Sequence, residues 1–228
     1  MTTTLEQGGI ADVTVAWVLE WVADMLMAPP TEASVAQMRS PEGRAVFDAM
    51  ADEWSSHAAM RQMLAALNPG EPAGAVAADL SVTYTRLFEG VSGTPAVSLY
   101  ESTYAIAGCQ DQAPPRLYGR AAGEMDELLR RFGMRLDVSG EAPDHISVEL
   151  ALYAALLRRG DRAGVALMRK RLAGWVPALI DGCVVLDPEG IYGGIARLLK
   201  SLLEAQGPDG WTQPVPRTDA QDGSHYVE

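Results

Sequence analysis

Lysine is almost missing from this chain. Of its 18 basic residues only Lys170 and Lys200 are lysines, and 30 carboxylates bring the net charge to -12. A polyanion is repelled by such a surface, so a nucleic-acid partner is excluded and a basic one is suited. Cysteine is equally scarce. Cys109 and Cys183, far apart, make neither a disulfide framework nor a zinc site. His57, His145 and His225 are scattered, with no two on one helical face, so no metal is expected. No glycine-rich loop ends in lysine and serine or threonine, and no dinucleotide-binding glycine triplet occurs, so no cofactor is expected either. Gly90-Val91-Ser92-Gly93 lacks the closing glycine of a nucleophile elbow and follows a helical pattern, which makes it a plain loop. No apolar run is long and uncharged enough for stable membrane insertion, because the first carries Glu20 and Asp24. Met1 to Gly9 has no basic residue and is neither a secretory nor a twin-arginine signal; Arg130-Arg131 and Arg158-Arg159 are internal. The cytoplasm is the expected location. Strand-like alternation is nearly absent, and the chain reads as all-α.

What is present is helical periodicity over 228 residues, 48% of them apolar, enough for one large domain or two lobes sharing a core. Val13, Trp17, Trp21 and Met25 predict one face of an amphipathic helix over about 11–27, ended by Pro29-Pro30. A short helix follows Thr31-Glu32. Pro41 opens a third, with Val46, Phe47, Met50 and Trp54. A fourth runs from His57 to Leu67 and is closed by Asn68-Pro69-Gly70. Val76, Leu80, Tyr84, Leu87 and Phe88 define a fifth, which ends at Gly90. Residues 100–107 have no clear period. After Pro114-Pro115, Leu117 to Phe132 form the next helix, and Gly133 to Ala142 is a linker. Beyond it, one long helix through Val165, Leu172, Trp175 and Cys183 is expected to kink at Pro177. Asp187-Pro188-Glu189 starts the last helix, and a polar tail follows Gly207 with Trp211 as one anchor.

The stretch that organises the rest is Glu141-Ala142-Pro143-Asp144-His145-Ile146. Pro143 disfavours a helical Ala142, and Asp144 suits the N-cap of a helix whose core face is Ile146, Leu150, Tyr153 and Leu157. Glu141 and His145 then stand at a helix N-terminus without a packing reason. Upstream lie Tyr84-Thr85-Arg86-Leu87-Phe88-Glu89-Gly90, Pro95, Ser98, Tyr100 and Glu101. The two segments, in this order, resemble the signatures of the TorD/DmsD family of molybdoenzyme-maturation chaperones, with the NarJ branch as close kin. The resemblance covers roughly residues 10–205. Many relatives have proline directly after the glutamate; here Ala142 intervenes, which is closer to the NarJ form.

The resemblance implies a TorD-like fold of nine to ten helices in two groups: 1–132, then a hinge loop 133–143, then 144–206, with 207–228 a polar, mobile tail. It implies a non-enzymatic chaperone that binds the twin-arginine signal peptide and apoprotein of a molybdenum or tungsten oxidoreductase until its cofactor is inserted. The partners are then the molybdoenzyme catalytic subunit and its N-terminal signal peptide. A receptor for two arginines and an apolar stretch needs carboxylates beside an apolar groove. Glu141, Asp144 and Glu101 are candidates for the acid. Tyr84, Leu87, Phe88 and Tyr100 are candidates for the walls; Pro143, Ser98 and His145 complete the candidate peptide-binding residues, with His145 orienting the loop. Asp144 as a simple N-cap, and Tyr84, Leu87 and Phe88 as core, stay open beside these roles. Some relatives exchange helices between protomers, so either a monomer or a helix-swapped homodimer is implied. A NarJ-like assembly factor for a nitrate reductase-type subunit is the alternative. A small hydrolase using Asp144 and His145 is the second.

Overall fold

In the computed structural model, residues 3–90, 93–104, 119–136 and 141–206 are described. They contain α1 (Thr3–Met27), α2 (Glu32–Arg39), α3 (Pro41–Glu53), α4 (His57–Ala66) and α5 (Ala73–Tyr84). A π-helical turn, Thr85–Glu89, continues α5, and a 3-10 turn, Glu101–Thr103, lies beyond it. Then come α6 (Arg120–Arg131), α7 (Ile146–Arg159), α8 (Arg162–Ala173), α9 (Val176–Leu186) and α10 (Ile191–Ala205). Among the described residues the only β-type pairing is an isolated bridge between Tyr100 and His145. The all-α expectation therefore holds. The predicted tail, Cys109, the start of the helix after Pro115, and residues 137–140 of the linker lie outside the described residues.

α1 and α7 pack along each other, α4 packs on α10, and α9 on α10, so both stretches of chain contribute to one apolar core. The close approach of α1 and α7 is fixed by Ser147, whose buried Oγ donates to the Ala23 carbonyl at 2.7 Å. The predicted face of α1 is only half covered: Met25 is buried and Trp21 packs against the core, but its other two members are not. Val13 and Trp17 are 50% and 47% exposed, whereas Val15, Ala16, Leu19, Val22, Ala23 and Leu26 are buried. Apolar residues surround most of α1, so the four-residue series was ambiguous. The face carrying the two alanines is the one that lets a neighbouring backbone come close.

The long helix expected to kink at Pro177 is two helices. α8 ends at Ala173, the fully buried Trp175 sits at the junction, and Pro177 lies in the first turn of α9, where no N–H is required. α10 begins at Ile191 rather than directly after Pro188. Asp187 reaches forward to cap it, accepting from Tyr192 N at 3.0 Å and Gly193 N at 3.3 Å.

Gly90 ends the π-helical turn at φ +62, and a Cβ there would meet the Gly93 carbonyl and Pro95 N. Both the left-handed conformation and the missing space demand glycine. Gly90→Ala is expected to lower stability by about 1–3 kcal/mol. Urea denaturation checks this; a change within about 0.5 kcal/mol, the scale of a neutral surface substitution, would show that the loop relaxes freely.

Candidate functional site

Pro143 and Asp144 occupy the middle of a turn closed by His145 N donating to the Ala142 carbonyl at 3.1 Å. That turn is zipped to the upstream segment. Ile146 N donates to the Leu99 carbonyl at 2.8 Å, and Glu101 N donates to the Asp144 carbonyl at 3.0 Å. The Tyr100 and His145 rings meet edge-on, 5.0 Å between centroids. Tyr100 Oη donates to Glu141 Oε2 at 2.6 Å. The two motifs, about forty residues apart in sequence, are one structural unit.

The N-cap of α7 is His145 and not Asp144. His145 Nδ1 accepts from Ser147 N at 3.2 Å, while Asp144 Oδ2 accepts from Ser102 N at 2.9 Å. The reason is the bridge to Tyr100, which turns Asp144 toward the 3-10 turn and leaves its neighbour at the helix end. Asp144 and His145 thus serve different backbone groups and form no acid–base pair. Asp144 is fully buried and His145 nearly so; burial pulls the imidazole pKa below its usual value, against the opposing charges of Glu141 and Asp144.

Of the predicted site residues, Glu141, Pro143, Ser98 and Tyr100 are half-buried and reachable at the surface of this unit. Glu101 lies beneath it, 3% exposed. Ser98 Oγ accepts from Tyr100 N at 3.2 Å, and its carbonyl accepts from Tyr104 Oη at 2.6 Å, so this serine shapes the loop. Tyr84 and Phe88 are buried against Tyr192 of α10, with ring centroids 5.1–5.8 Å apart among the three aromatics, and Leu87 is fully buried, its carbonyl accepting from Val97 N at 2.9 Å. Tyr84 Oη donates to the carbonyls of Leu26 and Met27 at 3.1 and 3.0 Å, tying α5 to the end of α1.

Below the loop lies a buried charge cluster that periodicity did not single out. Arg171 of α8 pairs with Glu101, and its Nε donates to Glu149 Oε1 at 3.3 Å. Arg171 Nη2 also donates to the Ala121 carbonyl at 2.8 Å, and Trp175 Nε1 donates to Glu149 Oε2 at 3.2 Å. Glu149 is completely buried. Burial, with negative Glu101 beside it, holds its carboxyl pKa well above the usual range despite Arg171; burial likewise raises that of Glu101. The signal in sequence was a glutamate between Val148 and Leu150 at the head of the apolar stretch 150–157, where an unpaired charge has no place.

The sequence is similar to a known family and to characterised relatives, and the fold to a solved structure. The profile of the family described as nitrate reductase delta subunit matches residues 48–181. The chaperone protein TorD of Vibrio cholerae serotype O1 (strain M66-2) is 25% identical over 197 residues, covering 81% of this chain and 86% of the relative. TorD of Aeromonas salmonicida (strain A449) is 28% identical over 195 residues, 78% and 83% of the two chains. A crystal structure described as that of a redox enzyme maturation protein from Archaeoglobus fulgidus superposes with a TM-score of 0.52 at 19% identity, covering 83% and 93%. That likeness carries the fold.

Proposed function

This chain belongs to the nitrate reductase delta subunit family, and on that premise we propose that it is a cytoplasmic chaperone for the maturation of a molybdenum or tungsten oxidoreductase. It resembles chaperones of the TorD type and is not an enzyme, which sets aside the hydrolase reading. The chaperone binds the N-terminal twin-arginine segment of the client's apoprotein at the zipped loop and holds it until the cofactor is inserted. The observation that carries this reading is Glu141, a half-buried carboxylate presented beside Tyr100 and His145 on a hydrogen-bonded loop. An arginine guanidinium is matched by a fixed carboxylate, and the buried Asp144 and Glu101 act by holding that loop in place.

Calorimetric titration with the twin-arginine signal peptide of a molybdoenzyme encoded beside this chain tests it. Wild type is expected to bind in the micromolar range or tighter. Glu141→Gln is expected to bind at least tenfold more weakly with unchanged melting, a loss of about 1.4 kcal/mol or more. A folded wild type that ignores the peptide would sink the signal-peptide reading. The alternative is a NarJ-like assembly factor acting on a mature nitrate reductase-type subunit, favoured by the family match and by Ala142 standing between Glu141 and Pro143. Pull-down of that subunit by wild type, with no signal-peptide binding, is its expected signature.

A further inference from the structure

The charge cluster beneath the zipped loop holds one acid too many. Glu101 of the 3-10 turn and Glu149 of α7 both pair with the single guanidinium of Arg171, and their carboxyl groups also hydrogen-bond to each other. Two buried carboxylates against one cation leave a net negative charge, and the buried Asp144 adds to it. A hydrogen bond between two carboxyl groups needs one proton, and that proton makes the cluster neutral.

The two acids are not held equally. Glu149 sits within the 14 residues of α7, and its Oε2 accepts from Trp175 Nε1 at 3.2 Å. Glu101 stands on a turn of 3 residues. That turn reaches the loop through Glu101 N, bonded to the Asp144 carbonyl at 3.0 Å, and Ser102 N, bonded to Asp144 Oδ2 at 2.9 Å. Asp144 Oδ1 and Ser102 Oγ are buried in the same seam without a hydrogen-bond partner among the described residues. Parting the seam hydrates both atoms, so it costs less than parting a fully bonded one. Repulsion between two ionised acids is therefore relieved at the turn and not at the helix.

We propose that the Glu101–Glu149 pair is a proton-operated catch on the zipped loop: with the shared proton in place the 3-10 turn is held on Arg171 and the loop is closed, and loss of the proton releases the turn from Asp144. The consequence for binding rests on the reading of this loop as the client site. Burial raises both carboxyl pKa values in the closed state, so closure is complete at lower pH and is lost as pH rises through the raised values. Among the described residues, the other groups facing the cluster are Glu124 of α6, Asp144 of the loop, and Tyr104 and Cys183 beside Trp175. Glu124 Oε2 lies 3.6 Å from Arg171 Nη1, with its side chain 47% exposed to water. Burial raises the Tyr104 phenol and pushes the Cys183 thiol up to about 12, so neither ionises near neutrality; burial also keeps His145 neutral there.

Hydrogen exchange resolved to single amides reads the catch without a ligand. On the full chain, protection of the Glu101 and Ser102 amides, relative to their intrinsic rates, is expected to fall about tenfold or more from about pH 6.5 to about pH 9. In Glu149→Gln a neutral amide replaces the protonated acid, and protection should stay level across the range. Glu101→Gln neutralises the other member, reports through Ser102 and should be level too, which covers a failure of the first variant to fold. An N-acetylated twin-arginine signal peptide, with no α-amine to titrate, should bind wild type more weakly at the upper pH by a similar factor, and Glu149→Gln equally at both. Protection that ignores pH in wild type, or falls as steeply in the glutamine variants, would overturn the catch. A peptide bound equally at both pH values while protection falls would overturn its control of binding. Protection that falls as expected in a chain that binds no peptide at any pH would uphold the catch and sink the signal-peptide reading instead.

Discussion

Arg171→Met is expected to destabilise the protein by about 3–5 kcal/mol at neutral pH, because it leaves Glu101 and Glu149 buried without their counter-charge. For a chain of this length each kcal/mol lowers the melting temperature by about 2–4 °C, so a fall of about 6–20 °C is expected. The pH dependence separates lost charge from lost packing. Both carboxyl pKa values are raised in the folded state, so the folded protein binds more protons than the unfolded chain above the ordinary glutamate range. Stability tied to these groups is fully present below that range and is lost as pH rises through the raised values. Removing Arg171 raises them further. The gap between variant and wild type should therefore narrow when denaturation is repeated near pH 5. A gap of the same size at both pH values would assign the effect to the arginine's packing and hydrogen bond to Ala121. Glu149→Gln, by contrast, imitates the protonated form and should be tolerated.

Phe88→Ala should cost a comparable amount, about 3–5 kcal/mol, through the cavity left between Tyr84 and Tyr192. Phe88 is 6% exposed and stands in an edge-on cluster that joins the π-helical turn to α10. A core residue and a groove wall make opposite predictions here. Core loss lowers the melting temperature and spares peptide binding measured well below the new transition. A groove wall would leave melting intact and weaken the peptide. Thermal unfolding followed by circular dichroism, with titration at low temperature, tells the two apart. Tyr84 and Leu87, equally buried, are expected to behave as Phe88 does.

Periodicity read well wherever one face was apolar and the other charged. α6 is the clear case: of its expected inward face Ala121 and Met125 are buried and Leu128 and Phe132 pack against the core, while Arg120 pairs with Glu124 outward. It read poorly on α1, where apolar residues lie nearly all round and only the arrival of α7 decides which are covered. The missed break at Gly174–Trp175 has a similar cause. The stripe Leu172, Trp175 and Leu179 is buried throughout, so continuity of burial was mistaken for continuity of helix. The two signature motifs meet in one loop unit. They did not say that its acids divide, Glu141 at the surface, Asp144 and Glu101 beneath.

The amino-acid sequence by itself determined the all-helical class, the turns at proline and glycine, and the family, because local propensity and short motifs are properties of neighbours along the chain. Only the tertiary structure decided what each functional group does. Tyr100 meets His145 and Glu141 across about forty residues, and Glu149 finds Arg171 from another helix. The cost of burying a charge depends on partners that are distant in sequence, so the role of each carboxylate is fixed only once the chain has folded.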